Sequence, residues 1–220
     1  MWERAFREML PRIRSIAPPG SRALEIGYGD GLLTAYLASD LNWRITALDV
    51  SPEAFRIAAD NVNRFGLSDR VDLRLVAPHE TRSHSGAYDV VFVKTVLYTA
   101  ATLDDYAGWL RWIRSVLRPG GVLVNFETGL GGRLLRTYRR LRGREYVDAC
   151  LYSPATDRLY DEQFEVVDRR FFGGWSQFLS PIAPAYALAW RIEEMLAPRT
   201  AGNCFIACVI ARNPDGRHPC

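Results

Sequence analysis

The stretch Glu25-Ile26-Gly27-Tyr28-Gly29-Asp30-Gly31 decides how the chain folds. It ends a short apolar run, Arg22-Ala23-Leu24-Glu25-Ile26, and leads into Leu32–Ala38, which has helical spacing. A strand that breaks into glycines and resumes as a helix opens a βαβ unit, because glycine permits the sharp turn and lets a ligand approach the main chain. The spacing argues against two common phosphate loops. A dinucleotide loop needs a small third residue in GxGxxG, and that position is Leu32; a GxxxxGK[ST] loop is absent. Glu25, two residues ahead of the first glycine, suits a ligand carrying positive charge better than one carrying phosphates.

Outward from the loop, strands and helices alternate. Trp43–Asp49 reads as a second strand, and Ser51-Pro52-Glu53 starts a helix, with a capping Ser and Pro at the first helical position. That helix runs to about Phe65, where Gly66 closes it. Val71–Val76 alternates as a third strand, and Tyr88–Val93 is nearly all apolar, as a central parallel strand is. A helix over about Leu103–Leu117 stops at Arg118-Pro119-Gly120-Gly121 before a fifth buried strand, Val122–Phe126. Phe164–Phe172 and Asn203–Arg212 are two further strand-like runs. Between them Pro184–Leu196 has helical spacing, read as a helix packed on the sheet or as a lid over a substrate. The pattern is that of an α/β domain with a parallel sheet and right-handed crossovers. Asp49 ends the second strand 18 residues past Gly31, where a carboxylate can accept both hydroxyls of a ribose, and Val50 beside it offers an apolar face to a base.

With 220 residues, 48% hydrophobic and 24% charged, the chain is expected to form one globular domain, 1–220, rather than a disordered or fibrous one. No apolar run is long enough to cross a bilayer, and the mixed charges of Met1–Glu8 do not read as a signal peptide, so a cytoplasmic protein is expected. Cys150, Cys204, Cys208 and Cys220 follow no metal-ligand spacing and read as small buried hydrophobes; Cys204 and Cys208, an even number apart, are expected to share a face. The net charge of +3 does not argue for nucleic acid. Residues 131–144 nevertheless carry six Arg and no acid, and Lys94 is the single lysine in the chain.

Four stretches together resemble the class I S-adenosylmethionine-dependent methyltransferases: ALEIGYGDG (23–31), LDVSPEAFRIAADN (48–61), YDVVFVKTVLY (88–98) and LRWIRSVLRPGGVLVNFE (110–127). The resemblance covers about the first 130 residues in the family's order and spacing. It implies a Rossmann-like, doubly wound seven-stranded sheet with helices on both faces, mostly parallel, whose last strand is antiparallel. Residues 1–130 would form the cofactor-binding half and 131–200 the substrate side or lid. The implied cofactor is S-adenosylmethionine, with S-adenosylhomocysteine as product. Gly27, Tyr28 and Gly29 would line its methionine part, with Glu25 near the amino group, Asp49 (with Val50 beside it) on the ribose, and Val93, Lys94 and Thr95 facing the sulfonium end. Where the family often has an acidic residue contacting adenine, this chain has Val76-Ala77-Pro78-His79-Glu80, which leaves that contact to main-chain groups or to Glu80.

Methyl transfer is an in-line displacement that needs alignment, dryness and removal of a proton, so a dedicated base is optional. The candidates for a chemical role are Lys94, Tyr98 and Glu127, with Asn125 nearby; no metal-binding constellation is apparent. Lys94 could bind an acidic acceptor, although a cation beside a sulfonium is electrostatically awkward; it could equally be solvated or ion-paired. Glu127 could serve as base, or be a strand-end carboxylate paired with a following arginine. His79, His84 and His218 read as loop or tail residues, with His79 the nearest of them to the site. The Arg-rich segment reads as an amphipathic helix with a solvated basic face, or as a clamp for phosphate or carboxylate on the acceptor. The leading expectation is methylation of O or N on a small organic acceptor, itself anionic under the clamp reading. The alternatives are an RNA or protein methyltransferase using 131–144 and a non-catalytic cofactor-binding scaffold; a nicotinamide oxidoreductase is disfavoured by Leu32 and Glu25.

Overall fold

In the computed structural model, residues 2–77, 86–131, 137, 141, 150–173, 183–196 and 200–214 are described. The chain runs α1 (Trp2–Ile16), β1 (Arg22–Ile26), α2 (Leu32–Asp40), β2 (Arg44–Asp49), α3 (Pro52–Arg64), β3 (Val71–Leu75), β4 (Tyr88–Lys94), a 3-10 turn (Leu97–Thr99), α4 (Leu103–Val116), β5 (Leu117–Thr128), α5 (Pro154–Gln163), β6 (Glu165–Phe172), α6 (Ala183–Leu196) and β7 (Ile206–Arg212). The seven strands form one sheet in the order β3-β2-β1-β4-β5-β7-β6. Every pair from β3 to β5 is parallel, and β7 runs antiparallel to both β5 and β6. This is the architecture the resemblance implies.

Local chemistry sets the element ends. Ser51 Oγ accepts the Ala54 N–H at 3.2 Å with Pro52 at the first helical position, as read from the sequence. Thr102 and Asp105 form a reciprocal capping box that starts α4. The Arg118-Pro119-Gly120-Gly121 segment ends α4 but also belongs to β5. The pairing register with β4 jumps there, from Tyr88↔Leu117 to Val90↔Val122, so β5 begins five residues earlier than the apolar run indicates. Asn213 fastens this bulge to the end of β7: its N–H donates to the Gly121 carbonyl at 2.7 Å and its Nδ2 to the Leu117 carbonyl at 3.0 Å.

The sheet separates two apolar layers. On one face Ala5, Met9 and Ile13 of α1 pack with α2, α3 and Trp190 of α6 over Val90, Phe92, Val124 and Phe126. On the other, Tyr106, Leu110 and Ile113 of α4 and Tyr160 of α5 cover Val91, Val93 and Leu123. The central strand β4 is therefore buried on both faces, as its composition requires. The 184–196 helix packs on the sheet through Trp190. One expectation fails. Cys208 lies in the α1 layer and Cys204 in the α4 layer, because β7 starts only at Ile206 and the alternation does not extend back to Cys204. Both are buried free thiols.

Three elements carry no expectation from the sequence: α5, the 3-10 turn and, most consequential for the site, α1. Its apolar residues recur at helical spacing, and it is clamped to the sheet by Phe6, whose ring centroid lies 5.8 Å from that of Phe126 and 6.1 Å from that of Phe92. Ile13→Ala removes a fully buried side chain from α1 and should cost roughly 2–5 kcal/mol of stability. Denaturant unfolding measures this, and a loss below about 1 kcal/mol would show that α1 is not docked as described.

Candidate functional site

Strand order reverses between β1 and β4, and in open α/β sheets ligands sit beyond the carboxyl ends of the strands at such a point. The glycine loop lies there. Gly27 has φ 77°, and its N–H donates to the Leu48 carbonyl at 2.8 Å. A Cβ on Gly27 would stand 2.4 Å from Val96 Cγ2, so the second residue past the end of β4 packs directly on the loop. Gly29, at φ 54°, faces open space instead. Its N–H donates to Asp49 Oδ2 at 3.0 Å, while the Ser51 N–H donates to Asp49 Oδ1 at 3.0 Å. The Asp49 carboxylate is thus oriented from both sides and remains half-exposed. Val50 (66% exposed) and Leu75 (47%) leave apolar side chains uncovered at the ends of β2 and β3.

Glu25 projects from β1 towards α2 and is 2% exposed. The Thr34 hydroxyl lies beside it, and Glu25 Oε2 has no hydrogen-bond partner within the described protein. Burial pushes its pKa up to about 7, against the opposing influence of Thr34 and the Lys94 charge. Tyr28 is buried in the α1 layer with its hydroxyl unpartnered; burial, aided by the Asp49 charge, raises it to about 12.

At the end of β4, Val93 is fully buried in the α4 layer, so only its main chain is near the site. Lys94 faces the other layer, and its Nζ lies 5.4 Å from the centroid of the Trp2 ring. Thr95 has φ 53°, a left-handed conformation that costs a β-branched residue on the order of 1–3 kcal/mol. Its N–H donates to the Phe126 carbonyl at 2.8 Å and its Oγ1 to the Lys94 carbonyl at 2.7 Å. Tyr98, in the 3-10 turn, is half-buried, and its carbonyl accepts the Cys150 N–H at 2.8 Å.

A cavity of about 590 Å³ opens between the start of α2, the end of β4 and α1. Its wall is mainly apolar: Trp2, Phe6, Leu32, Leu33, Tyr36 and Phe126, with Lys94, Glu3 and Arg7 supplying the charges. The described wall comes from α1 and α2 with Lys94 of β4 and Phe126 of β5, and includes no described residue of 131–200, the segment expected to form the substrate side. Trp2, Phe6 and Tyr36 carry no motif; the signal for the first two is the helical spacing of Trp2, Ala5, Phe6, Met9, Leu10 and Ile13.

Glu127 lies elsewhere. Neighbouring residues alternate faces along a strand, and Phe126, the register partner of Lys94, points into the α1 layer. Glu127 therefore points the other way and is fully buried. Its Oε1 accepts the Thr128 N–H at 3.0 Å, and its Oε2 has no hydrogen-bond partner among the described residues. Burial nonetheless pushes its pKa up to about 8. Nearby, Asn125 Nδ2 donates to the Tyr160 hydroxyl at 2.6 Å, which lies 2.7 Å from that of Tyr106. Pro78, His79, Glu80, His84, His218, Cys220 and most of 131–144 lie outside the described residues. Among the described residues no group of His, Cys, Asp and Glu could hold a metal ion.

The family model "Methyltransferase domain" matches residues 24–123. A ubiquinone biosynthesis O-methyltransferase of Xanthomonas campestris pv. campestris (strain B100) is 31% identical over 197 residues, covering 89% of this chain and 78% of that one. Another, of Methylocella silvestris, is 33% identical over 150 residues, covering 67% of this chain; the match spans 56% of the relative's length. Among solved structures, the N-methyltransferase NodS of Bradyrhizobium japonicum WM9, in complex with S-adenosylhomocysteine, superposes with a TM-score of 0.65 at 19% identity, covering 96% of this chain and 87% of that one. The chain belongs to the class I S-adenosylmethionine-dependent methyltransferases.

The raised pKa of Glu25 has a consequence for stability. Below its unfolded value of 4.5 the group is neutral in both states, and its burial carries no ionisation penalty. Between 4.5 and about 7 the unfolded chain loses the proton first, so stability falls as pH rises, and the loss is complete above the folded value. Glu25→Gln removes this dependence. Relative to the parent protein it should gain about 2–3 kcal/mol between pH 5 and pH 8. Parallel Tm-against-pH curves for the two proteins would contradict the assignment.

Proposed function

We propose that this methyltransferase acts on an oxygen of a small, largely apolar acceptor, and that the acceptor sits in the cavity between α1, α2 and the end of β4. The observation that carries the reading is that cavity: a half-open aromatic and aliphatic cleft of about 590 Å³ with Lys94 in its wall. The names of the two O-methyltransferase relatives favour oxygen over nitrogen.

The residues at the glycine loop fit the cofactor. Glu25 Oε2, buried and without a partner, is the acceptor that the amino group of the methionine part needs. The main chain of Gly27, Tyr28 and Gly29 would line that part, and the open space at Gly29 leaves room for it. Asp49, oriented by two N–H groups, keeps lone pairs for the ribose hydroxyls, and Val50 and Leu75 present apolar surface to the adenine. Val93, Lys94 and Thr95 would border the reacting end. When bound, the sulfonium supplies an electrophilic methyl group.

The chain itself supplies placement, exclusion of water and charge. Phe6, Phe126 and Trp2 hold a planar apolar acceptor against Lys94, and such positioning is worth about 7–11 kcal/mol in the best intramolecular models. The Lys94 ammonium favours the ionised form of an acceptor hydroxyl, which lowers the need for a dedicated base. Glu25 offsets the Lys94 charge near the sulfonium. Glu127, enclosed on the opposite face, has no route to such an acceptor. Tyr98 is left without a chemical step in this reading. A polyanionic acceptor would engage 131–144, and nothing in the described residues favours it. No described helix is long and apolar enough to cross a membrane.

S-adenosylhomocysteine at 100 times its Kd should stabilise the protein by about 2.7 kcal/mol, or roughly 5–10 °C in a thermal-shift titration, with no shift from NAD. A shift with NAD alone would sink the cofactor reading. Asp49→Ala should weaken S-adenosylhomocysteine by about 10- to 100-fold in calorimetry, the range for hydrogen bonds to a charged group, and retained affinity would remove Asp49 from the site. Lys94→Met, assayed on a panel of substituted phenols, should lower turnover at pH 7 by about tenfold or more while S-adenosylhomocysteine affinity stays within about threefold. Activity should return as pH rises and the acceptor ionises unaided. The opposite split would assign Lys94 to the cofactor.

A further inference from the structure

A strained residue at a strand end calls for an account of what the strain holds in place. Thr95 stands between Lys94 in the cavity wall and Val96 on the glycine loop, with φ at 53°. Glycine would take that conformation without steric cost, yet position 95 carries a β-branched side chain, for which the left-handed region is least accessible. Two hydrogen bonds hold it there. Its N–H donates to the Phe126 carbonyl at 2.8 Å, so the residue is still paired with β5. Its Oγ1 donates to the Lys94 carbonyl at 2.7 Å, which ties the side chain of the bent residue to the peptide joining it to Lys94. On either side of the bend the chain makes a close contact. Lys94 Nζ lies 5.4 Å from the centroid of the Trp2 ring, and Val96 Cγ2 fills the space that a Cβ at position 27 would need.

We propose that Thr95 is a positioning residue for Lys94: its hydroxyl, bonded to the Lys94 carbonyl, locks the left-handed bend that aims Lys94 into the cavity and passes Val96 to the glycine loop. The inference rests on the reading that the acceptor lies against Lys94. Thr95 acts through the backbone direction at the end of β4, not through a contact of its own with the acceptor. Glycine at this position would relieve the strain, but it populates both signs of φ and has no hydroxyl to fix one of them. Lys94 would then have no single direction. Stability and placement therefore pull apart at position 95, whereas a residue that serves the fold alone gains or loses both together.

The test compares the parent protein with Thr95→Ser, Thr95→Ala and Thr95→Gly by Tm, by turnover of substituted phenols, and by the NMR signal of the Lys94 ε-methylene in cofactor-free protein carrying isotope-labelled lysine. In the parent the Trp2 ring should displace that signal, and Trp2→Leu should abolish the displacement. Thr95→Ser keeps the hydroxyl; it should retain the displacement and turnover within about threefold of the parent. Thr95→Ala and Thr95→Gly should lose most of the displacement and lower turnover by about tenfold or more. The glycine variant, free of the strain, should nevertheless melt about 2–4 °C above the alanine variant. The proposal is overturned if the glycine variant keeps the parent's displacement and turnover, or if the serine variant behaves like the alanine one. It is equally overturned if alanine is as stable as glycine, since residue 95 is then not held left-handed, or if the parent signal shows no displacement. Should Thr95→Ala not fold, the serine and glycine variants decide. Should the parent turn over none of the phenols, the acceptor reading fails, and the Lys94 signal still decides the role of Thr95.

Discussion

The site depends on one close approach. Val96 occupies the space that a side chain at position 27 would need, so the loop after β1 and the turn after β4 are a single packed unit at the reversal of strand order. Glycine at 27 is required by that contact as much as by its positive φ. The same contact accounts for where the strain is stored: Thr95 is bent so that Lys94 can face one layer while the chain crosses above the sheet to Val96. A two-sided sheet then divides the labour. The α1 face carries the cavity, Glu25 and Lys94, and the α4 face carries the polar groups beneath the turn.

Charge in the site follows burial. Glu25 and Glu127 are both enclosed, both raised towards or above neutrality, and lie on opposite faces. Glu25 retains an unpartnered oxygen, which is a costly state for an isolated protein and a favourable one for a protein that meets an ammonium group. Glu127 differs in that its other oxygen accepts the Thr128 N–H, while its Oε2 is likewise unpartnered.

The fold was legible because its signals are local. Glycine spacing, a capping Ser before Pro52, an all-apolar β4 and a Pro-Gly-Gly break each depend on a few adjacent residues; their order points to a parallel α/β sheet, and the antiparallel last strand follows from the family resemblance those stretches carry. The position of Asp49 at the end of β2 was legible for the same reason. The wall of the cavity was not, because α1 mixes Arg and Glu between its apolar positions and carries Pro11 inside the helix; what makes Trp2 and Phe6 wall residues is their tertiary placement beside Phe126 and Lys94. The placement of Glu127 could have been read from parity alone, since it neighbours the register partner of Lys94 and must face the other way. Cys204 shows the limit of such counting: alternation holds only within a strand, and it stands outside β7.

The near-exclusive use of arginine has a practical side. Guanidinium groups do not react with amine-acylating reagents near neutrality, so the chain presents one ε-amine, and that amine lies in the wall of the cavity beside Trp2. With the α-amino group blocked, a reporter attached through lysine chemistry would sit at a single address in that wall without engineering of the sequence. Its attachment could be followed through the neighbouring indole.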